Sequence, residues 1–154
     1  MTNSTPIPAE RLLILFAKTP TAGQVKTRIG AQVGLEQAAQ IYQTMLETIL
    51  AASGGDGRWQ RLVALTPDSD AAWFETRNLP YIRQLGENIG ERMANALSEG
   101  FRQGAAQVMV FGSDIPELGE AEIAAAFSRL DMEPAVVGPS IDGGFYLFGA
   151  NRQF

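Results

Sequence analysis

The 154-residue sequence contains no cysteine and no histidine. The first absence excludes a disulfide framework, a thiol nucleophile and a cysteine-ligated metal. The second removes the commonest general base and the usual transition-metal ligand, and with it any serine–histidine hydrolase. A bound metal must then be held by oxygen, which favours magnesium, manganese or calcium. Lysine is nearly absent too: Lys18 and Lys26 stand against ten arginines. No apolar run approaches the length of a bilayer span, and the run after Arg11 stops at Lys18, too soon and with the wrong flanks for a signal peptide. The expected compartment is therefore the cytoplasm, with no membrane span. Three motifs are missing: G-x-G-x-x-G after the first apolar run, the P-loop spacing G-x-x-x-x-G-K-[ST], and G-x-S-x-G. A net charge of −5 and a pI near 4.7 leave no basic face for nucleic acid. They do not exclude one small phosphorylated ligand, because a local cationic loop can outweigh the global sign.

What is present is an ordinary globule, 45% hydrophobic and 19% charged. Residues 1–10 form a polar, proline-containing lead expected to be loosely ordered, and residues 11–154 are expected to make one domain. Two periodicities alternate along it. Arg11–Ala17 is apolar on both faces, as a central parallel strand should be. A helical stripe runs from Leu35 to Leu50, ended by Ser53-Gly54-Gly55-Asp56-Gly57. Leu62–Leu65 and Tyr81–Leu85 read as strands, with a short helix between them through Arg77, capped by Asp68 or Ser69. Asn88 and Glu91 resemble a capping box before a stripe of Ile89, Met93, Leu97 and Phe101. Val108–Phe111 reads as a strand, Glu120–Leu130 as a helix with Ile123, Phe127 and Leu130 inward, and Ala135–Val137 and Phe145–Phe148 as the last strands. Such alternation predicts a three-layer α/β/α domain with a mainly parallel, Rossmann-like sheet.

In such sheets ligands sit at the carboxyl ends of the strands, where the winding reverses. The chain places its unusual residues there. The first strand feeds a Gly/Pro loop carrying both lysines: Lys18, Pro20, Gly23 and the triplet Lys26-Thr27-Arg28, ahead of a helical pattern. That arrangement suits a phosphate, although a solvated connection with incidental charge has the same composition. The Val108–Phe111 strand feeds Gly112-Ser113-Asp114, where Asp114 is either a helix cap or a ligand, and its place after a buried strand favours a ligand or metal. Asp142-Gly143-Gly144 allows close approach of backbone to ligand but also reads as a plain turn, the reading local sequence slightly favours. Asp68-Ser69-Asp70 is a literal D-x-D, better placed as a helix cap than as a metal ligand.

Four strings, FAKTPTAGQVKTRIG (16–30), QLGENIGERM (84–93), FGSDIPEL (111–118) and GPSIDGGFYLFG (138–149), stand in this order. In this the chain resembles the bacterial radical-SAM/selenodomain-associated transferases, a group similar to glycosyltransferases of the GT-A, nucleotide-diphospho-sugar transferase type. It is similar, more distantly, to phospholactate guanylyltransferase and the molybdenum-cofactor nucleotidyltransferases. Two departures stand out: family members carry a Gly-Asp-Leu-like sequence where this chain has Glu87-Asn88-Ile89, and they continue some tens of residues past the Gly-Gly-Phe-Tyr strand. The C-terminal elements are therefore expected to be lacking here, leaving Leu147 and its aromatic neighbours partly exposed and the chain prone to homo-oligomerise.

The resemblance implies group transfer from an activated nucleotide or nucleotide sugar to a small-molecule acceptor. Lys26 and Arg28, with Lys18 behind them, would hold the diphosphate; Gly23, Thr27, Ser113, Gly143 and Gly144 would complete the substrate site. Asp114 would bind Mg2+ or Mn2+, and Asp142 would orient or deprotonate the acceptor. Glycosyl transfer leads, nucleotidyl transfer of the guanylyltransferase kind is the alternative, and a non-catalytic nucleotide-binding domain is the third reading.

Overall fold

The computed structural model describes residues 10–113, 118–139 and 145–152. Six strands form one sheet in the order β3-β2-β1-β4-β6-β5, from β1 (Arg11–Ala17), β2 (Gln60–Leu65), β3 (Tyr81–Arg83), β4 (Gln107–Gly112), β5 (Ala135–Pro139) and β6 (Phe145–Asn151). β1, β2, β3 and β4 pair in parallel, whereas β6 is antiparallel to both β4 and β5. The chain winds outward from β1 to β3 and then crosses back to lay β4 on the other side of β1. The switch point lies between β1 and β4.

β1 is central because its residues Leu12, Leu13, Ile14 and Leu15 are all fully buried, which requires a helix layer on each face. Alternate residues divide between two clusters. Leu13, Leu15, Val63, Leu65, Met109 and Phe111 pack against α2 (Leu35–Ala52) and α5 (Glu120–Arg129) through Tyr42, Leu46, Ile49, Ile123 and Phe127. Leu12, Ile14, Leu62, Val108 and Val110 pack against α4 (Ile89–Arg102) through Ala96, with Met93, Leu97 and Phe101 half-buried. Gly100 permits that contact, since a Cβ there would lie 2.7 Å from Val108. No helix among the described residues is long and apolar enough to cross a membrane.

Four local expectations are corrected. A helix, α1 (Thr27–Val33), begins inside the stretch read as loop; its one buried residue is Gly30, so it carries no apolar stripe to betray it. The short helix before β3 shrinks to α3 (Ala72–Glu75), with Asp70 Oδ1, rather than Asp68 or Ser69, accepting from the Ala72 N–H at 2.9 Å. Ile89 opens α4 but is 63% exposed, so the inward stripe starts at Met93. Leu147 is buried at 3% exposure under the α5 side, not partly exposed. On the opposite face of β5, Val137 is 50% exposed, and the α4-side cluster contains no described residue of β5 or β6.

Candidate active site

The carboxyl ends of β4, β1, β2 and β3 open onto one cleft of about 420 Å³. Its floor is made by the last residues of β1 and β4, Phe16, Ala17 and Gly112, and its walls by the loops and helix that follow the strands. Tyr42 of α2 ties the two central loops together. Its buried hydroxyl accepts the Lys18 N–H at 3.0 Å and lies 2.8 Å from Ser113 Oγ. The next residue, Thr19, is held from the other side: its N–H donates to Ser69 Oγ at 3.3 Å and its hydroxyl donates to the Asp70 carbonyl. Ser69 Oγ in turn lies 2.7 Å from Thr66 Oγ1, and Arg83 donates to the Thr66 and Ser69 carbonyls. The start of the cationic loop is thus fixed by hydrogen bonds to two neighbouring segments.

Further along that loop, Lys26 adopts the left-handed conformation, φ 51° and ψ 41°, as the residue before α1. A non-glycine residue there costs about 1–2 kcal/mol, a strain met most often where a side chain is held for a purpose. Gly23 (φ 86°) makes the preceding turn, which glycine adopts without that cost.

Of the residues singled out by sequence, Lys18, Lys26 and Ser113 line the cleft. Gly23, Thr27 and Arg28 are exposed beside it, the latter two in the first turn of α1, and none of the three is part of its lining. Asp114, Asp142, Gly143 and Gly144 lie outside the described residues. Sequence reasoning missed Tyr42, Gln84 and Arg92. Tyr42 stands in an apolar stripe, and Gln84 and Arg92 sit within QLGENIGERM, whose local signals are a helix cap and the start of a helical stripe. That cap exists: Asn88 Oδ1 accepts the Glu91 N–H at 2.9 Å, while Glu91 Oε1 returns to the Glu87 N–H at 2.9 Å, one residue earlier than a capping box requires.

Electrostatically the cleft is one-sided. Lys18, Lys26 and Arg92 line it, and among its described lining residues there is no carboxylate. The side-chain oxygens it could offer a metal are the hydroxyls of Tyr42, Ser113 and Thr66 and the amide oxygen of Gln84; the first two bond each other, the third bonds Ser69 and the last accepts from Arg92. No group of three or more carboxylates among the described residues could hold an ion. The described wall therefore fits an anion, and does not by itself form a metal site.

The family model described as "Uncharacterized protein conserved in bacteria (DUF2064)" matches residues 49–154, and the chain belongs to that family. No curated protein matches it in sequence. Among solved structures, a protein assigned as a nucleotide-diphospho-sugar transferase from Desulfovibrio desulfuricans G20 superposes with a TM-score of 0.86 at 30% identity, over 94% of this chain and 64% of that one. The present chain thus spans less than two thirds of that relative. A 4-diphosphocytidyl-2C-methyl-D-erythritol synthase from Anaerococcus prevotii DSM 20548 matches at TM-score 0.55 and 10% identity, over 93% of this chain and 70% of that one. A CMP:2-keto-3-deoxy-manno-octonic acid synthetase complexed with CTP gives the same score and identity, over 94% and 75%. The two low-identity matches establish the fold alone. It is the three-layer α/β arrangement of the nucleotide-diphospho-sugar transferases, with six mostly parallel strands.

Proposed function

We propose that the cleft binds the diphosphate of an activated nucleotide and that the chain is a transferase, acting most readily as a glycosyltransferase on a nucleotide-diphosphate sugar. One observation carries the reading: in a protein of net charge −5, three cations and no carboxylate line the described part of a cleft at the switch point of the sheet. A cationic lining attracts an anion, and a diphosphate is one whose size and charge suit the place. The 30% identity to the Desulfovibrio protein supports the sugar-nucleotide side of the reading. The kinship to radical-SAM/selenodomain-associated transferases is part of the same proposal.

In this reading Lys26 and Lys18 neutralise the phosphates of the donor, and Arg28 adds charge from the first turn of α1. As the bond from the sugar to the diphosphate breaks, negative charge grows on the leaving oxygens, and fixed cations already in place stabilise it without reorganising. The Tyr42 hydroxyl keeps the Lys18 and Ser113 segments in one relative position during the transfer. Asp142 is proposed to orient or deprotonate the acceptor hydroxyl. A divalent ion, Mg2+ or Mn2+, would be held by Asp114 and would add charge neutralisation to the phosphate oxygens.

Thermal protection tests the reading. A nucleotide-diphosphate sugar at 100 times its dissociation constant is expected to add about 2.7 kcal/mol of stability. Protection by free triphosphates instead would move the assignment to nucleotidyl transfer, and protection by neither would overturn the nucleotide site. Manganese titration addresses the ion: Asp114→Asn is expected to abolish the rise in metal affinity that nucleotide diphosphate brings, whereas Asp70→Asn leaves it intact.

A further inference from the structure

The Asp68-Ser69-Asp70 loop has no part in the proposed transfer, yet it leans on the segment that carries Lys18. In the β1–β2 ladder Ala17 stands opposite Leu65, and the Thr66 N–H donates to the Ala17 carbonyl at 3.3 Å. Thr66 therefore comes level with Lys18, one strand away. The loop that follows it is held from several sides. The Ser69 N–H donates to the Thr66 carbonyl at 3.1 Å, and Arg83 of β3 donates to the Thr66 and Ser69 carbonyls. The Asp70 carbonyl accepts the Thr19 hydroxyl, and Ser69 Oγ accepts the Thr19 N–H at 3.3 Å. A string that resembles a metal motif thus works as a latch on the phosphate loop.

Two hydroxyls of this latch form a chain whose proton order follows from burial. Ser69 is 5% exposed. With its Oγ already accepting from Thr19, its own proton has one acceptor in reach among the described residues, Thr66 Oγ1 at 2.7 Å. A buried hydroxyl left without an acceptor is costly, so Ser69 donates and Thr66 accepts. The opposite order would strand the Ser69 proton in the interior. The half-buried Thr66 hydroxyl then keeps a proton of its own, bonds no other group among the described residues, and belongs to a residue that lines the cleft. It is a donor without an acceptor until something enters.

Distance says what that donor meets. Neighbouring strands lie about 4.8 Å apart, so Thr66 stands about one ring's width from the β1 end. With a diphosphate at Lys18 and Lys26, the group on the β2 side is the sugar of the nucleoside, whose hydroxyl oxygens accept hydrogen bonds. Resting on the nucleotide reading above, we infer that Thr66 donates to a ribose hydroxyl of the bound nucleotide, and that Ser69 is the positioning residue that ties this contact to the Lys18 segment. One buried serine sets the proton of the ribose donor and, through the Thr19 N–H, the backbone beside Lys18. The two halves of the ligand are thereby read by parts that cannot shift independently.

The test is calorimetry on the full chain in one magnesium buffer, with inorganic pyrophosphate, ADP, CDP, GDP, UDP and the 2′,3′-dideoxy form of the tightest of the four. Thr66→Val keeps the shape but not the hydroxyl. It is expected to weaken that nucleotide about three- to tenfold, the worth of one neutral hydrogen bond, while pyrophosphate and the dideoxy form bind as they do to wild type. Thr66→Ser is expected to stay within about twofold of wild type for every probe. Ser69→Ala is expected to weaken pyrophosphate and nucleotide together, because it frees the Thr19 N–H as well as Thr66. A Thr66→Val protein that loses pyrophosphate as much as nucleotide overturns the inference by making Thr66 a phosphate ligand. So does one that loses the dideoxy form equally, or loses nothing. Unchanged pyrophosphate affinity in Ser69→Ala overturns the positioning role. If Thr66→Val fails to fold, wild type decides: a dideoxy form that binds as tightly as the ribonucleotide sinks the inference. Pyrophosphate binding as tightly as any nucleotide sinks this inference alone; absence of pyrophosphate and nucleotide binding together sinks the proposed function with it.

Discussion

The two edges of the sheet use the same residue types to opposite ends. At the amino edge polar side chains tie the elements together. Arg11 pairs with Asp131 at 3.2 Å and donates to Gln107 Oε1 at 3.1 Å, and Gln107 Nε2 donates to Asp131 at 2.7 Å. Arg61, buried far enough that desolvation lowers its pKa, donates to the Leu50 carbonyl and to Ser53 Oγ at 3.0 Å, closing the end of α2. Asn151 donates to the Leu130 and Glu133 carbonyls, tying β6 to the end of α5. At the carboxyl edge Lys18, Lys26 and Arg92 share a cleft whose described lining holds no carboxylate. Polar bonds between elements close the first edge; the second keeps a cleft with room for a ligand. A single chain thus separates the part that holds the fold from the part that binds.

The strongest way to break this comparison is to remove charge from the open edge. Lys26→Ala is expected to weaken nucleotide-diphosphate binding by about 1.5–3 kcal/mol, the range for a charge-assisted hydrogen bond, or roughly ten- to hundredfold. Lys26→Gly is expected to lose the same affinity at an equal or higher melting temperature, because glycine accepts φ 51° without strain. Arg28→Ala, on an exposed side chain, is expected to lose about two- to fivefold, in line with a solvent-screened charge. Arg58→Ala serves as control: its guanidinium lies far along the chain, paired with Glu120 at 3.2 Å. Calorimetric titration of the four variants against wild type reads all of this.

How much of this was legible in the sequence follows from which forces act locally. Arg11–Ala17 has the same bounds in sequence and structure, because an unbroken apolar run bounded by charges can be little else. Ile123, Phe127 and Leu130 were legible for the same reason: burial imposes a period. α1 was not, since Gly30 buries backbone rather than side chain. A Cβ there would lie 2.7 Å from Leu35 Cδ2, so glycine lets α1 and α2 meet and erases the pattern at once. The reversed direction of β6 leaves no local mark either. In the site, the lysines were visible as outliers of composition. Arg92 was hidden because ten arginines dilute one, and because its value comes from Gly86 and Gln84 turning back on it, a contact set by the turn after β3.

The closed edge offers the converse experiment. Arg61→Met strips the partner from the Leu50 carbonyl and from Ser53, which is fully buried, and is expected to cost about 1–3 kcal/mol. At about 2–4 °C per kcal/mol for a chain of this size, the melting temperature should fall visibly. Nucleotide affinity at a temperature well below the transition should not move. A loss of affinity without a loss of stability would mean that the two edges are coupled through β2, and the division drawn above would fail. Asn88→Ala is a milder version close to the cleft: losing the cap bond to the Glu91 N–H is expected to cost about 1 kcal/mol.

The smallest expected effect lies on neither edge. Glu99 and Arg102 face solvent on α4, three residues apart, and the hydrogen bond from Arg102 holds the Glu99 carboxyl below its ordinary range, with Gln103 donating to the same carboxylate at 2.8 Å. A depressed folded-state pKa contributes stability that is present above the unfolded value, near 4.3, and lost as pH falls through the folded one. Because the Arg102 side chain is 72% exposed, water and salt screen the pair, and only a small contribution is expected. Glu99→Gln keeps the shape and the Gln103 contact but not the charge. Denaturant midpoints of wild type and variant should differ slightly at neutral pH, converge as pH drops below about 4, and draw together at neutral pH in 1 M salt. A gap that survives both acid and salt would assign the stabilisation to packing along α4, and would show that charge on this outer surface is as idle as charge at the amino edge is committed.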